Sequence, residues 1–217
     1  MHHTVMVVSG GLKAPDDYAK VLETAGDPFV IGVDEGALWL LEHGFSIDLA
    51  VGDFDTIGEA GLTRLKANGV PTDAFPAAKD ATDTELAYFA ARDRGAQAII
   101  FYGALGLRFD HSLSNVHILY SCIQDGIDGC IMGPHHRLRL LGPGLYPLAS
   151  AFPYISLIPF SPVVTGVTLS GFRYPLDRET IRWGAGTGRT LSNELTGEAG
   201  QIYIEDGWLI VIESRDG

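Results

Sequence analysis

Acidic residues cluster in three short segments of the first half of the chain. Asp53 and Asp55 lie in the first segment, Asp80 and Asp83 in the second, and Asp110 in the third. Carboxylates packed this densely repel one another unless a cation lies among them. Oxygen ligands of this kind suit Mg²⁺, which binds one or two carboxylates and keeps its other positions for water and phosphate oxygens. The segments therefore predict metal-assisted chemistry on a phosphate.

The first segment, Gly52-Asp53-Phe54-Asp55-Thr56, follows the apolar run Leu49–Val51 directly. In an extended segment, residues two apart face the same side. We therefore expect Asp53 and Asp55 to reach one metal ion while Phe54 turns into the core. A short Asp-x-Asp sequence is also common in surface loops, and the spacing alone leaves this alternative open.

The second segment runs from Lys79 to Glu85 and stands at a predicted helix start. Thr82 or Asp83 could cap that helix, and acidic groups in a first turn complement the helix dipole. This structural role accounts for some of the carboxylates. It explains Lys79 less well, because a lysine beside acidic groups is suited to meet the charge of a phosphate.

The third segment, Gly103 to His111, follows a predicted strand and precedes a predicted helix. Glycines let the backbone approach a phosphate, and a helix N-terminus offers free N–H groups. Arg108 and His111 favour an anion site here. The alternatives are an ion pair between Arg108 and Asp110 and a plain helix-start role for His111.

These segments are separated by an alternation of apolar runs and helical patterns, which predicts βαβ units and a mostly parallel sheet. Asp34, Asp53 and Gly103 each come at or just after the end of an apolar run, so we expect them at the carboxyl edge of that sheet, where ligands gather. Asp34 could also be only a helix cap. The apolar runs are Val5–Val8, Phe29–Val33, Leu49–Val51, Ala98–Tyr102 and Cys130–Met132, and the helical patterns are Asp16–Thr24, Gly36–His43, Glu59–Asn68, Thr84–Arg94 and Ser112–Gln124.

The second half of the chain changes character at about Arg137. Short apolar runs separated by glycine-rich turns predict an antiparallel β-sandwich or barrel. Asp206-Gly207 between two such runs predicts a hairpin, and Trp183 and Trp208 are expected in the core. We therefore expect an α/β domain over residues 1–136 and an all-β domain over residues 137–217.

Composition bears on whether the chain binds nucleic acid, spans a membrane or forms disulfides. The chain has 217 residues and a formal net charge of −12, with no run of lysine and arginine, which disfavours a general nucleic-acid binder. No apolar run approaches the ~18 residues that a membrane span needs. Only Cys122 and Cys130 are present and no signal peptide precedes the first predicted strand, so a reduced cytoplasmic protein is expected.

In chain order, these motifs resemble the thiamine pyrophosphokinase family over nearly the whole sequence. Four stand in the first half: Asp34-Glu35-Gly36, Gly52-Asp53-Phe54-Asp55-Thr56, Lys79 to Ala87 and Gly103 to Asn115. In the second half, the runs Ser170 to Leu176 and Leu191 to Glu194 are similar to the family's thiamine-binding segments. Glu35, Thr56, Leu107 and Ile47 depart from the family pattern, and Glu35 adds negative charge near the expected polyphosphate.

The resemblance implies a transferase that moves pyrophosphate from ATP to the hydroxyl of thiamine, giving thiamine diphosphate and AMP. It implies that Asp53, Asp55 and Asp83 bind Mg²⁺. It also implies that Lys79 and Arg108 neutralise the negative charge that develops in the transition state. Asp80 is the candidate to orient or deprotonate the alcohol, with Asp53 as the alternative.

The resemblance also implies where the two substrates bind. Tyr174, Ser192 and Asn193 are expected at thiamine, because an aromatic face suits a thiazolium ring and a flat pyrimidine. A homodimer with sites shared between two chains is implied as well. The residues expected to bind the nucleotide are Asp34, Lys79, Arg108, Asp110, His111 and Asn115.

Three rival classes compete with this interpretation. A phosphatase or phosphomutase with an aspartyl nucleophile carries Asp-x-Asp-x-Thr, whereas Ile57 stands at that threonine position. A sugar-nucleotide transferase also uses Asp-x-Asp. A module that binds thiamine or a nucleotide without turnover is disfavoured by the complete set of charged residues, because unpaired carboxylates cost stability.

Overall fold

The computed structural model describes residues 3–74, 81–185 and 187–217. The chain divides into two compact units, residues 1–134 and residues 135–217. This division lies close to the one expected after residue 136.

The first unit alternates strands and helices, as the apolar runs predict. In chain order its elements are β1 (Thr4–Val8), α1 (Pro15–Ala25), β2 (Phe29–Val33), α2 (Glu35–Glu42), β3 (Leu49–Gly52), α3 (Gly58–Ala67), β4 (Thr72–Ala74), α4 (Asp83–Asp93), β5 (Ala98–Tyr102), α5 (Phe109–Gln124) and β6 (Asp128–Gly133). The strands lie in the order β4-β3-β2-β1-β5-β6, and each neighbouring pair is parallel. The predicted parallel α/β sheet is therefore confirmed.

The strand order of this sheet reverses at β1. From β1 the chain first adds β2, β3 and β4 on one side, and β5 then pairs with β1 on the other side. The loops after β1 and β5 therefore leave the same edge of the sheet from adjacent strands. In open α/β sheets such a switch point forms the crevice where ligands bind.

Apolar residues of the central strands hold the helices against the sheet. Met6 and Val8 of β1 pack with Tyr18 of α1 and Leu40 of α2, and all four are buried. The helix α4 lies against β1, β2 and β3. Because strands buried on both faces read as continuous apolar runs, the sequence showed these strands clearly.

The two cysteines are on different sides of β6. A Cβ on Gly129 would lie 2.9 Å from the Sγ atom of Cys122, so Gly129 faces α5. The next residue, Cys130, faces the other side, because side chains alternate along a strand. The two cysteines accordingly form no disulfide.

The second unit is a β-sandwich. Its strands are β7 (His136–Leu141), β8 (Gly144–Leu148), β9 (Tyr154–Pro159), β10 (Val163–Ser170), β11 (Leu176–Arg182), β12 (Gly200–Ile204) and β13 (Leu209–Ser214). Antiparallel pairing places β7, β13 and β9 in one layer and β11, β10, β12 and β8 in another. Leu157 and Val211 of the first layer share a buried core with Val164 and Ile202 of the second, which confirms the predicted antiparallel β architecture.

Two expectations for this unit are wrong. Asp206-Gly207 does not close a hairpin, because β12 pairs with β10 and β8 whereas β13 pairs with β7 and β9. The turn instead carries the chain from one layer to the other. Trp183 is not in the core: its side chain is 61% exposed, and its indole N–H donates to the carbonyl oxygen of Pro159 over 3.0 Å.

Within residues 3–74, 81–185 and 187–217, the helices are too short or too polar for any of them to cross a lipid bilayer.

Candidate active site

Three carboxylates converge at the carboxyl edge of the parallel sheet. One oxygen each of Asp34, Asp53 and Asp83 lies within 4.8 Å of the other two, and all three side chains are half-buried. Asp34 follows β2, Asp53 follows β3, and Asp83 is the first residue of α4. We call these residues the acidic triad. Strand ends and a helix start thus bring together residues up to about fifty positions apart.

Asp34 is held in the triad by a neighbouring strand end. It occupies the N-cap position of α2, yet its carboxylate makes no capping bond to that helix in the structure as described. Its Oδ1 atom instead accepts a hydrogen bond from the backbone N–H of Phe54 over 3.0 Å. A Cβ on Gly52 would lie 2.3 Å from the same Oδ1 atom, so this approach requires glycine at position 52.

The electrostatics of the triad suit a cation. Burial is the largest cause that raises the pKa of Asp34, to about 7, and the charges of Asp83 and Asp53 raise it further. The N–H group of Phe54 opposes this shift. A divalent cation would remove the repulsion among the three carboxylates, and hard oxygen ligands are those that Mg²⁺ takes. The triad therefore fits a metal of this class.

Asp83 is positioned by the start of α4. The side chain of Thr82 accepts a hydrogen bond from the N–H group of Glu85 over 3.2 Å, and Glu85 accepts one from the N–H group of Thr82 over 2.8 Å. This capping box satisfies two N–H groups that the helix itself leaves unpaired. Of the two caps that the sequence left open, Thr82 is therefore the one observed, and it fixes the first turn that carries Asp83.

Asp55 lies beside the triad rather than in it. Phe54 has a positive φ of 59°, so the segment is not extended as the expectation for Asp53 and Asp55 assumed. The N–H group of Asp55 donates to Asp53 Oδ1 over 3.1 Å. Its own exposed carboxylate accepts the hydroxyl of Thr56. Phe54 is buried, as predicted.

Lys79 and Asp80 lie outside the residues that the structure describes. The charge contact expected of Lys79 and the proton transfer expected of Asp80 therefore stay predictions.

The third segment carries exposed charged side chains, and the helix that follows it carries a buried asparagine. The guanidinium of Arg108 donates to Asp110 over 2.7 Å, and both side chains are largely exposed. This contact lowers the pKa of Asp110. His111 is exposed in the first turn of α5, whereas Asn115 is buried and its Nδ2 donates to the carbonyl oxygen of Ala104 over 2.7 Å. Asn115 thus holds the glycine-containing loop against the helix.

In the second unit, the segments expected to bind thiamine are joined by one buried amide. Asn193 is 1% exposed. Its Oδ1 accepts from the N–H groups of Tyr174 and Glu194 over 3.0 and 2.9 Å, and its Nδ2 donates to the carbonyl of Tyr174 over 2.8 Å. Tyr174 is 53% exposed, and the guanidinium of Arg173 lies over its ring, 5.5 Å from the centroid. Ser192 is exposed, has a φ of 52°, and donates its N–H group to Ser156 Oγ.

Sequence reasoning missed two features of this edge. Asp34 was expected at the nucleotide site and not beside Asp53 and Asp83, although its position after an apolar run was the same signal that singled out Asp53. Sequence reasoning also gave no role to Ser9 and Lys13, which follow the first apolar run.

Comparison with known proteins agrees with this architecture. Residues 20–131 match the family model for the thiamin pyrophosphokinase catalytic domain, and residues 145–209 match that for the thiamin pyrophosphokinase vitamin B1 binding domain. A thiamine pyrophosphokinase of Bacillus subtilis (strain 168) is 33% identical over 217 residues, which cover 98% of this chain and 99% of that protein.

Solved structures are similar over the same extent. The crystal structure of thiamine pyrophosphokinase from Bacillus subtilis has a TM-score of 0.87 and 33% identity, covering 99% of this chain and 100% of that chain. The thiamin pyrophosphokinase from Geobacillus thermodenitrificans has a TM-score of 0.83 and 33% identity, covering 99% of this chain and 98% of that one.

Proposed function

Because the chain belongs to the thiamine pyrophosphokinase family, we propose that it transfers the pyrophosphoryl group of ATP to the hydroxyl of thiamine, giving thiamine diphosphate and AMP. The observation that carries this proposal is the acidic triad at the carboxyl edge of the parallel sheet. A polyphosphate needs its negative charge neutralised before an alcohol can attack it, and carboxylates that gather a divalent cation meet that need.

The proposed metal is Mg²⁺, held by Asp34, Asp53 and Asp83. When bound, it supplies positive charge to the phosphate oxygens. Asp55, which the sequence suggested as a third ligand, supports this site through its N–H group, which orients the carboxylate of Asp53. Its own carboxylate is the alternative ligand to Asp34, and mutation of each residue distinguishes the two.

Arg108 is proposed to meet the phosphate charge together with Lys79. Its present partner is the exposed carboxylate of Asp110, and solvent screens exposed ion pairs of this kind so that they contribute little to stability. Arg108 can therefore leave Asp110 for a phosphate at little cost. His111 and the first turn of α5 provide further donors, and Asn115 keeps the loop before them in place. Asp80 or Asp53 takes the proton of the thiamine hydroxyl.

Tyr174 is proposed to stack on thiamine, because its exposed ring suits both the thiazolium and the pyrimidine. Ser192 offers a hydroxyl at the same segment. Asn193 contributes by holding the backbone of Tyr174 in place through its three hydrogen bonds.

We also propose a homodimer in which each site is shared between two chains. The apolar side chains of Leu107 and Phe109, exposed beside Arg108, suit coverage by a partner. An active monomer in analytical ultracentrifugation would contradict this proposal. A cytoplasmic location is proposed because ATP is available there and unbridged cysteines stay reduced.

The activity is tested by measuring AMP release from ATP with and without thiamine and Mg²⁺. We expect AMP and thiamine diphosphate to form in equal amounts. Their formation should require both thiamine and Mg²⁺. Release of inorganic phosphate without thiamine, or a trapped phosphoaspartate, would instead support the phosphatase alternative. Binding of thiamine by calorimetry without any AMP formation would support a binding module.

A further inference from the structure

The loop after β1, residues Ser9 to Lys13, lies against the loop after β5. The N–H group of Gly11 donates to the carbonyl of Gly103 over 2.7 Å, and that of Leu12 donates to the carbonyl of Leu105 over 3.0 Å. A Cβ on Gly11 would lie 2.2 Å from the oxygen of Leu105, so the contact depends on glycine. These two loops border the switch point of the parallel sheet, where a ligand is expected.

Lys13 places an ammonium group at this point. Its Nζ donates to the carbonyl oxygens of Ser9 and Gly11, each over 2.9 Å. Its aliphatic stem crosses Gly103, where an added Cβ would lie 2.7 Å from Lys13 Cγ. Two of the three ammonium protons thus fix the group in place, and the third has no carbonyl or carboxylate acceptor among the described residues. The ammonium also lies 5.7 Å from the centroid of the Trp39 ring, a weaker contact that an anion can supplement.

The charge of Lys13 is only partly compensated. Burial lowers its pKa to about 8, and the carboxylate of Glu35 opposes this shift from a distance. Among the residues that the structure describes, no carboxylate forms an ion pair with Lys13. A partly buried, unpaired cation costs stability, and such groups are common where a ligand of opposite charge binds.

The same loop also reaches the acidic triad. The hydroxyl groups of Ser9 and Thr84 share a hydrogen bond of 3.4 Å, and Thr84 follows Asp83 in α4. On the other side, a Cβ on Gly10 would lie 3.0 Å from a carboxylate oxygen of Glu35, which follows Asp34. The loop that carries Lys13 therefore contacts residues adjacent to two of the three triad carboxylates.

We propose that Lys13 binds a phosphate oxygen of the ATP triphosphate and so is a further substrate-binding residue of the proposed reaction. This inference rests on the proposed function for the identity of the nucleotide. It also accounts for Glu35, the departure from the family pattern that adds negative charge near the polyphosphate. Lys13 offsets that charge from the neighbouring loop.

The test compares Lys13→Gln, Lys13→Arg and, as a matched control, Lys20→Gln on the exposed side of α1. Gln keeps N–H donors for the loop carbonyls but removes the charge, whereas Arg keeps the charge. Dissociation constants for ATP with Mg²⁺ and for thiamine are measured separately by calorimetry, together with the KM of each substrate and the melting temperature.

We expect Lys13→Gln to weaken ATP binding and raise its KM about tenfold or more, which corresponds to about 1.4 kcal/mol. Thiamine binding should stay within about twofold, Lys13→Arg should recover most of the affinity, and Lys20→Gln should behave as the wild type. Equal weakening of both substrates, or a lower melting temperature with unchanged ATP binding, would overturn the inference and leave Lys13 as a support of the loop.

The proposed function fails in a different way. If the wild type bound ATP but formed no AMP with thiamine, the activity would be refuted while a Lys13-dependent ATP affinity would still support the phosphate contact. If the wild type is active and Lys13→Gln keeps full ATP affinity, only the Lys13 inference is overturned.

Discussion

The carboxylate of Asp34 accepts a hydrogen bond from the backbone N–H of Phe54, which lies 20 residues later in the chain. The bond joins the ends of the adjacent strands β2 and β3 and brings Asp34 beside Asp53. Both residues of the pair have positive φ, 43° for Asp34 and 59° for Phe54. Such backbone conformations cost about 1–3 kcal/mol each in non-glycine residues and gather at functional sites. The acidic triad therefore depends on two residues that adopt unfavourable backbone conformations.

The choice between Asp34 and Asp55 as the third metal ligand is open to a direct test. Asp34→Asn keeps an acceptor for the N–H group of Phe54 but removes the charge. We expect it to raise the Mg²⁺ concentration needed for half-maximal activity about tenfold or more, whereas Asp55→Asn should change it no more than about threefold. Titration of AMP formation with Mg²⁺ measures both. The reverse order of effects would favour the ligand set of Asp53, Asp55 and Asp83.

The raised pKa of Asp34 makes the metal-free protein sensitive to pH. The pKa of a free aspartate is about 3.9, whereas that of folded Asp34 is about 7. At a pH between these two pKa values, the folded state binds more protons than the unfolded state. The free energy of unfolding therefore falls as the pH rises. Asp34 therefore contributes its stabilisation below about pH 4, and this is lost as the pH rises through about 7. We expect urea denaturation in EDTA to show that the free energy of unfolding falls between about pH 4 and 7. The fall should be smaller in Asp34→Asn.

Addition of Mg²⁺ provides the control for that experiment. A metal that binds the native state stabilises it by mass action, so Mg²⁺ should restore stability near pH 8 in the wild type and much less in Asp34→Asn. A stability of the metal-free wild type that rises steadily from pH 4 to 7 would contradict the raised pKa.

Gly52 is predicted to be essential for the position of Asp34. A Cβ at residue 52 would lie 2.3 Å from Asp34 Oδ1. Gly52→Ala should therefore displace the carboxylate and weaken the binding of Mg²⁺ about tenfold or more. Gly44→Ala is the control, because Gly44 also has a positive φ of 73° but no atom lies within 4 Å of the added Cβ. That change should lower stability by about 1 kcal/mol and leave Mg²⁺ binding unchanged. Equal Mg²⁺ affinities for the two variants would refute the steric argument.

Asn193 and Tyr174 should differ in how they affect thiamine. Asn193→Ala removes three hydrogen bonds from a buried site, and a buried N–H or carbonyl left unpaired costs about 1–3 kcal/mol. We therefore expect it to lower the free energy of unfolding and to raise the KM for thiamine. Tyr174→Ala should raise that KM about tenfold with little effect on unfolding, because the ring is exposed. Denaturation and steady-state kinetics on both variants separate the roles, and an unchanged thiamine KM in Tyr174→Ala would exclude stacking.

Local patterns were sufficient to predict most of the elements. Continuous apolar runs mark β1, β2, β3, β5 and β6. The strands β1, β2 and β3 are buried on both faces, whereas β5 and β6 are only partly buried on one face. The strand β4 went unnoticed because its three residues are polar or small, and β8 because Pro147 and exposed Leu145 interrupt its pattern. The hairpin expected at Asp206-Gly207 was wrong because a turn signal does not state which strands pair on either side of it.

The sequence by itself determined the α/β and all-β halves, the family, and the sheet edge to which Asp34, Asp53 and Gly103 belong. The reason is that strand ends and apolar periodicity are local properties of the chain. Only the tertiary structure decided that Asp34 rather than Asp55 joins Asp53 and Asp83, and that Lys13 lies at the switch point. Those outcomes depend on backbone conformation at Phe54, on the room left by Gly52, and on which loops leave adjacent strands. These are contacts between residues far apart in the chain, and no local pattern encodes them.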